Sequence, residues 1–186
     1  MKQTYRFTLL AASLVLPMGI AMADPETCPC KPLPSFSLSA SNGKTYTKEM
    51  LSAKPTVVVF LKAGCPHNPK ATVDFNRFMT SIGKNVNFVA VTNLDAAAAS
   101  KYAKELRANF PLLADKNGKL VAAFGATKSL DLGVICSKDK KIVRTWSGYS
   151  QQTLKEIVAA LPQHGGKALK LSFAGYPAKR QSGCSF

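Results

Sequence analysis

One cysteine of this 186-residue chain stands in a setting that favours thiol chemistry. Cys65 lies in the Gly-Cys-Pro-His segment of residues 64–67, after an apolar, β-branched run at residues 55–61 and before an amphipathic stretch. A thiolate near a helix N-terminus is stabilised by partial positive charge and free amide groups, so its pKa falls and its reactive fraction rises. Because this segment is a poor core sequence, we predict that Cys65 is accessible and nucleophilic, and that Lys62 and His67 tune its pKa or orientation.

The other four cysteines offer partners for that thiol or structural roles. A sulfenic acid on Cys65 needs a second thiol to resolve it, and Cys184 could reach it from a glycine- and proline-containing tail. The alternative is that Cys184 is a structural staple between the tail and Cys28 or Cys30, and both alternatives stay open. Two residues apart in an extended chain, Cys28 and Cys30 point to opposite sides, which favours separate structural partners. Cys136 lies in an apolar strand, which predicts a small buried side chain.

The elements that must position these residues alternate between strands and helices. Periodicity and turn residues predict the following segments: a hairpin at 36–47, a central strand at 55–61, a helix ended by Gly83, a strand at 86–91, a helix at 96–108 capped by Asp95, a short helix near 120–124, strands at 132–136 and 141–146, and a helix capped by Ser150 and ended by Pro162. This order predicts an α/β layer fold with helices on both faces of a mixed sheet.

The N-terminus has the order of a secretory signal peptide: a basic start, an apolar stretch and then Ala-x-Ala, with cleavage expected after Ala23. Its apolar stretch, residues 7–20, is shorter than the roughly 20 residues that span a membrane. We therefore expect a secreted or periplasmic protein with no transmembrane segment after cleavage. The predicted organisation is a signal peptide at 1–23, a Pro/Cys-rich lead-in at 24–35, one folded domain at 36–162 and a cysteine-containing tail at 163–186.

Composition narrows the class of protein further. The chain is 46% hydrophobic, which excludes a disordered chain, and its 25 Lys+Arg against 10 Asp+Glu give a net charge of +15. Removing the leader takes away Lys2 and Arg6, which leaves 15 − 2 = +13. The electric field of a protein with this positive charge attracts anionic envelope surfaces. The lysines are scattered without a run of five like charges, so we expect no specific nucleic-acid partner.

Three stretches resemble the thioredoxin-like superfamily, and within it the redoxins of the peroxiredoxin-like, alkyl-hydroperoxide-reductase and thiol-specific-antioxidant type. Residues 55–66 resemble the strand leading to the active cysteine, 110–125 the Phe-Pro-Leu-Leu stretch, and 133–148 the hairpin that follows it. The resemblance spans residues 36–161. It implies a thioredoxin-like three-layer fold with a mixed central sheet and an N-terminal hairpin, Cys65 as the nucleophile, no cofactor, and a peroxide or a thiol/disulfide redox partner as the reactant.

The sequence departs from both catalytic patterns of these relatives. Asn68 stands where the Cys-x-x-Cys motif has its second cysteine, so no local disulfide can form with Cys65. Lys62 stands where peroxiredoxins usually carry a threonine or serine. Residues 129–132 supply neither the cis-proline of thioredoxins nor the arginine of peroxiredoxins.

The start of the helix after Cys65 has two interpretations. Asn68 could be the cap with Pro69 at the first helical position, which places Cys65 outside the strongest dipole field. Alternatively the helix begins at Pro66, with Cys65 as the cap, and Pro69 removes an early hydrogen bond. The resemblance favours the second interpretation.

Three functions fit these observations. The resemblance implies an extracytoplasmic redoxin, either a thiol–disulfide oxidoreductase or a thiol peroxidase with antioxidant activity, that uses Cys65 as nucleophile and Cys184 as resolving cysteine. The departures favour a noncatalytic scaffold of the envelope. A Sco-like copper protein would use His67, but it would have to borrow Cys28 or Cys30 as ligands, so we expect no metal.

Overall fold

The computed structural model describes residues 30–186, so the predicted leader, its cleavage site and Cys28 lie outside the described residues. The strands are β1 Lys31–Pro32, β2 Ser37–Ser39, β3 Thr45–Thr47, β4 Thr56–Phe60, β5 Asn87–Thr92, β6 Leu112–Ala114, β7 Leu132–Ile135 and β8 Lys141–Trp146. The helices are α1 Lys48–Ser52, α2 Asn68–Ile82, α3 Ala96–Leu106, α4 Lys119–Phe124 and α5 Gln151–Ala160, followed by a 3₁₀ turn at Leu161–His164. Within the described range, no helix is long and apolar enough to cross a membrane.

Six strands form one mixed sheet in the order β1-β8-β7-β4-β5-β6, and β2 with β3 forms a separate hairpin. β4 runs parallel to β5 and antiparallel to β7, and all five of its residues are buried. A continuous β-branched and aromatic run suits a strand covered on both faces, as the sequence predicted. The end of β4 therefore leads from the middle of the sheet directly toward Cys65.

The two faces of β4 pack in two different cores. Val57 and Val59 face the core that contains α2, α3 and α5, whereas Val58 and Phe60 face the core that contains α1, α4 and Leu33. Successive side chains of a strand point to opposite faces, which explains this division. The expected architecture, a mixed sheet with helices on both faces and a hairpin before it, is confirmed.

The predicted helix ends are confirmed where a specific residue caps them. Asp95 accepts from the Ala98 amide at 2.9 Å, the Ser150 hydroxyl accepts from the Thr153 amide at 3.2 Å, and Gly83 ends α2 with a φ of 69°. Glycine adopts this backbone conformation without a Cβ penalty.

Both outer strands of the sheet were missed by the sequence analysis. β1 belongs to the predicted lead-in and pairs antiparallel with β8, and β6 follows Pro111 and pairs parallel with β5. The outer edge of β6 is covered by an antiparallel bridge between Ala40 and Leu113. Strands of two or three residues are too short to show a period of two, so their sequence pattern could not reveal them.

The tail lies along the folded body. Its Leu169, Leu171 and Phe173 pack partly buried against the core below α5, and Tyr176 is buried. The chain then pairs with Tyr149 through Gln181 and ends beside the loop before β7. The tail thereby brings its last residues to the end of the sheet where β4 finishes.

Candidate functional site

Cys65 lies in a turn between the end of β4 and the start of α2. Its amide donates to the Lys62 carbonyl at 3.3 Å, and its carbonyl accepts from the Asn68 amide at 3.1 Å. α2 begins at Asn68 with His67 as its cap residue and Pro69 in the first turn. The start at Pro66 that the resemblance favoured is therefore wrong, because the turn through Pro66 is not yet helical and Cys65 precedes the cap by two residues.

The expected exposure of Cys65 is also wrong in this structure, where its relative exposure is only 3%. The cover is the tail: the Cys184 amide donates to the Cys65 sulfur at 3.1 Å, and Gly183 lies against the same sulfur. The backbone of a separate segment, the tail, thus forms part of the cover of the thiol. Displacement of that segment would expose it.

The pKa of Cys65 lies below the ordinary value of a cysteine. Burial raises this pKa, but hydrogen bonds from the Cys184 side chain and backbone, the His67 backbone and the Ser129 side chain together outweigh burial. Hydrogen bonds to the charged form favour ionisation, so this surrounding stabilises a thiolate. His67 acts on Cys65 through its backbone, and its side chain is exposed.

Cys184 behaves as the proton-bearing member of the pair. Its pKa is raised, first because its thiol is hydrogen-bonded to Cys65, then by burial and by the charge of Cys65, while Lys62 lowers it. The Lys62 ammonium donates to the Ser185 carbonyl and so binds the tail. The structure places Cys184 against Cys65. The alternative, a structural staple to Cys28 or Cys30, stays a prediction, since Cys28 lies outside the described residues.

Asn68, at the position of the missing second cysteine, is completely buried and forms a hydrogen-bond hub. Its amide nitrogen donates to the Lys62 carbonyl and the Tyr102 hydroxyl, both at 2.8 Å. Its carbonyl oxygen accepts from the Ser129 hydroxyl at 2.7 Å. These bonds tie both ends of the Cys65 turn to α3 and to the loop before β7, so Asn68 fixes the turn without a disulfide.

Replacing Asn68 by alanine is expected to lower the free energy of unfolding by about 2–4 kcal/mol, because it leaves buried partners of the amide unsatisfied. Chemical denaturation followed by circular dichroism measures this change. Asn42→Ala is the matched control, since Asn42 is exposed and its side chain makes two exposed hydrogen bonds, to the Tyr46 hydroxyl and from the Lys44 amide. The control should change the free energy of unfolding by less than about 0.5 kcal/mol. Equal effects of the two substitutions would contradict the role of the hub.

The loop before β7 forms the other wall of the site. Ser129 is completely buried, and its hydroxyl accepts from the Lys62 amide at 3.0 Å. Buried Asp131 holds the loop by accepting from the amides of Thr127 and Lys128 at 2.9 and 3.0 Å. Leu130 has a φ of 74°, a strained value for a branched side chain, and such strain occurs where surrounding structure fixes a functional loop.

The end of the tail pairs with this loop through an isolated antiparallel bridge between Lys128 and Ser185. The Ser129 amide donates to the Cys184 carbonyl at 2.8 Å, and the Gly183 amide donates to the Ser129 carbonyl at 2.9 Å. Phe186 continues the pairing through its amide, which donates to the Thr127 carbonyl at 3.0 Å. The backbone of this loop therefore sets the position of the Cys184 thiol opposite Cys65.

Two side chains of α2, Asp74 and Arg77, form a cluster that binds the tail at Gly175 and Tyr176. The Arg77 guanidinium lies 4.0 Å from the centre of the Tyr176 ring and donates to the Gly175 carbonyl at 2.8 Å. Asp74 pairs with Arg77 at 2.9 Å and accepts from the Tyr149 hydroxyl at 2.8 Å. The tail thus has one anchor at α2 and a second at the loop before β7.

The remaining sequence-predicted residues lie apart from Cys65. Cys136 is 3% exposed at the end of β7, and burial raises its pKa, as fits the predicted small buried side chain. Cys30 is partly exposed next to β1, at the far side of β8 from β7. In residues 30–186, no group of three or more His, Cys, Asp or Glu side chains could hold a metal ion.

Three residues of the site were not recognised as contributors from the sequence: Ser129, Asn68 and Tyr102. The 2.8 Å hydrogen bond from Asn68 places the Tyr102 hydroxyl at the site. Burial raises the pKa of Tyr102, the bond from Asn68 lowers it, and the charge of Cys65 adds to the rise. A signal for Ser129 was available. It directly precedes the strand region that pairs antiparallel with β4, so it had to lie beside the end of β4.

Comparisons with known proteins agree with this geometry. The profile of the AhpC/TSA family matches residues 29–166. The chloroplastic peroxiredoxin Q of Populus jackii is 31% identical over 101 residues, which cover 52% of this chain and 46% of that protein. The corresponding protein of Triticum aestivum is 30% identical over the same shares of both chains. The match thus spans about half the length of these curated relatives.

Solved structures resemble about two thirds of this chain. The exposed lipoprotein thioredoxin Etrx1 of Streptococcus pneumoniae matches with a TM-score of 0.57 at 24% identity, over 66% of this chain and 99% of that one. The Xanthomonas campestris bacterioferritin comigratory protein matches with a TM-score of 0.58 at 19% identity, over 69% of this chain and 91% of that one. MTB dsbF matches with a TM-score of 0.56 at 28% identity, over 68% of this chain and 94% of that one. The first two show a thioredoxin-like fold.

Proposed function

Because the chain belongs to the AhpC/TSA family, we propose that it is a thiol-dependent peroxidase in which Cys65 is the nucleophile and Cys184 the resolving cysteine. One observation carries the proposal: the Cys184 amide donates to the Cys65 sulfur at 3.1 Å, which places the two cysteines against each other. The lowered pKa of Cys65 supports it, since the thiolate is the attacking species.

The first step consumes the peroxide. The Cys65 thiolate attacks one oxygen of the hydroperoxide, an S–O bond forms, and the O–O bond breaks. Cysteine is oxidised to a sulfenic acid, the peroxide is reduced to an alcohol or water, and the leaving oxygen takes up a proton. Because the tail covers Cys65, its last residues have to move before a peroxide can reach the sulfur.

The second step uses the tail. The Cys184 thiol attacks the sulfur of the sulfenic acid, a Cys65–Cys184 disulfide forms, and the hydroxyl leaves as water with the thiol proton. A dithiol partner then reduces the disulfide and is itself oxidised to a disulfide. The backbone pairing of Cys184 with Ser129 supports this step because it returns the second thiol to the sulfur after each displacement.

Cys184→Ser is expected to stop the reaction after the first step. One equivalent of peroxide should leave Cys65 as a sulfenic acid that dimedone traps, and mass spectrometry of the Cys65 peptide measures the adduct. In the wild-type protein the adduct should be at least about tenfold less abundant, because an adjacent thiol competes at a high effective concentration. Cys136→Ser is the control and should behave like the wild type. Equal trapping in the wild type would count against Cys184 as the resolving cysteine.

Thiol–disulfide exchange is a second candidate, favoured by the backbone pairing of Cys184 with the loop before β7. This pairing holds a cysteine of an extended peptide opposite Cys65, which is the arrangement that exchange with another thiol requires. The likeness to MTB dsbF, described in its mixed oxidized and reduced forms, supports this candidate. Incubation with an oxidised model peptide separates the two: exchange gives a mixed disulfide at Cys65 without any peroxide.

The proposed location is outside the cytoplasm, in the periplasm or secreted. The basic, apolar and Ala-x-Ala order of residues 1–23 supports it, and the net charge supports contact with anionic envelope surfaces. N-terminal sequencing of the protein recovered from cells tests it, with Asp24 as the expected first residue. The scaffold alternative would be favoured if biological activity survived Cys65→Ser.

A further inference from the structure

We infer that Ser129 is a further catalytic residue, whose hydroxyl donates a hydrogen bond to the Cys65 thiolate. The inference rests on the proposed function, because it concerns the same sulfur. Ser129 lies in the loop before β7 and is completely buried, so its hydroxyl must use partners within the protein.

Ser129 and Cys65 face each other across the tail. A Cβ placed on Gly183 would lie 2.7 Å from the Ser129 Cβ and 3.1 Å from the Cys65 sulfur, so both side chains border the same small space. The amide of Cys184 is bonded to the Cys65 sulfur, while its carbonyl is bonded to the Ser129 amide. The nearness of the Ser129 side chain also contributes to the lowered pKa of Cys65.

The hydroxyl proton of Ser129 has two acceptors within the site. The Lys62 amide donates to the Ser129 oxygen at 3.0 Å, so that contact uses a lone pair and leaves the single hydroxyl proton for another partner. In the structure this proton goes to the Asn68 carbonyl oxygen at 2.7 Å. When Cys65 ionises, rotation about the C–O bond turns the proton to the thiolate, which is the stronger acceptor because it is charged.

Asn68 is the positioning residue of this arrangement. Its side-chain carbonyl oxygen holds the Ser129 hydroxyl beside Cys65 while the cysteine is protonated. Its side-chain NH₂ group donates to the Lys62 carbonyl of the Cys65 turn. The buried hydroxyl is thereby oriented before ionisation, which reduces the reorganisation that the thiolate requires.

Other polar groups lie around Cys65. Hydrogen bonds from the thiol and the amide of Cys184 lower its pKa from the side of the tail. Two further titratable groups lie nearby: the Tyr102 hydroxyl of α3, bonded to Asn68, and the Lys62 ammonium, bonded to the Ser185 carbonyl. The His67 backbone completes the set. Of these groups only Lys62 is bonded to the Ser129 hydroxyl, and that bond comes from its amide and not from its ammonium, so the hydroxyl is tested with every charged group in place.

The test is Ser129→Ala in the full chain under reducing conditions. The rate at which iodoacetamide alkylates Cys65 is measured against pH, with mass spectrometry separating the Cys65 and Cys184 peptides. The midpoint of the profile is expected to move to higher pH, and the rate at pH 7 to fall by about threefold to tenfold, because one charge-assisted hydrogen bond is lost. Ser129→Thr keeps a hydroxyl and should restore the wild-type midpoint.

Two further variants make the result decisive. Ser137→Ala also removes one hydroxyl, bonded to the His164 carbonyl beyond the opposite end of β4, and should leave the midpoint unchanged. Ser129→Gly deletes the hydroxyl again if the alanine variant does not fold. An unchanged midpoint with a rate altered equally at every pH would mean that Ser129 only holds the tail, and it would overturn the inference. Failure of the wild type to reduce peroxide would overturn the proposed peroxidase while leaving this midpoint result standing.

Discussion

Cys65→Ser should reduce peroxide consumption by at least about a thousandfold, because a serine hydroxyl remains protonated at neutral pH where the cysteine supplies a thiolate. The structure has no base beside position 65 among its described groups that would take up that proton, since the contacts of Cys65 are hydrogen-bond donors. The activity is measured as peroxide lost per minute with a dithiol reductant in excess. Oxygen and sulfur differ little in size, so the fold should be retained.

The controls for this result are the other cysteines within the described residues. Cys136→Ser changes a buried thiol at the end of β7 and should keep most of the activity. Cys184→Ser should keep a single turnover and lose continued turnover. Retention of continued turnover in the Cys65→Ser protein would remove Cys65 from the mechanism, and a thiol at another position would then have to be sought.

Oxidation should stabilise the protein by about 2–5 kcal/mol, because a Cys65–Cys184 disulfide joins residues that are 119 positions apart. A bridge across such a long loop removes much of the conformational freedom of the unfolded chain. The folded state needs little adjustment, since the tail already holds Cys184 against Cys65. For a chain of this size, the gain corresponds to a rise of roughly 5–15 °C in the melting temperature.

The measurement compares the melting temperature of the protein after one equivalent of peroxide with that of the dithiol-reduced protein. Cys65→Ser is the matched control: it removes this bridge and keeps every other cysteine, so any remaining difference belongs to those. A wild-type shift no larger than the shift of the control would show that the bridge does not form. A fall in melting temperature would show that forming it distorts the native state.

The sequence predicted the architecture well wherever an element had a long apolar run or a capping residue at its end. The run at residues 55–61 became the central strand, and Asp95 and Ser150 became helix caps. Short elements without a pattern were missed, as β1 and β6 were. The start of α2 was misjudged because Pro66 and Pro69 both suit the first turn of a helix, and only the closed turn at Cys65 distinguishes them.

The site was predictable only in part, since long-range contacts build it. Cys65 and Cys184 could be singled out by residue type, but the tail has no period that would place it over Cys65. Asn68 stands where relatives have a second cysteine, and residues 129–132 lack the proline or arginine of the relatives. In the structure both positions contribute polar groups, through Asn68 and Ser129, which a search for known motif residues does not detect.

The closed borders of the main sheet bear on how the protein behaves at high concentration. Strands at a sheet border can recruit strands from other molecules and start aggregation. One edge of this sheet is the two-residue strand β1, in which Pro32 has no amide proton to donate. The other edge, β6, is covered by the bridge between Ala40 and Leu113. Fibre-like stacking of native sheets through either edge of the main sheet is therefore not the expected route to larger species when this protein is crowded.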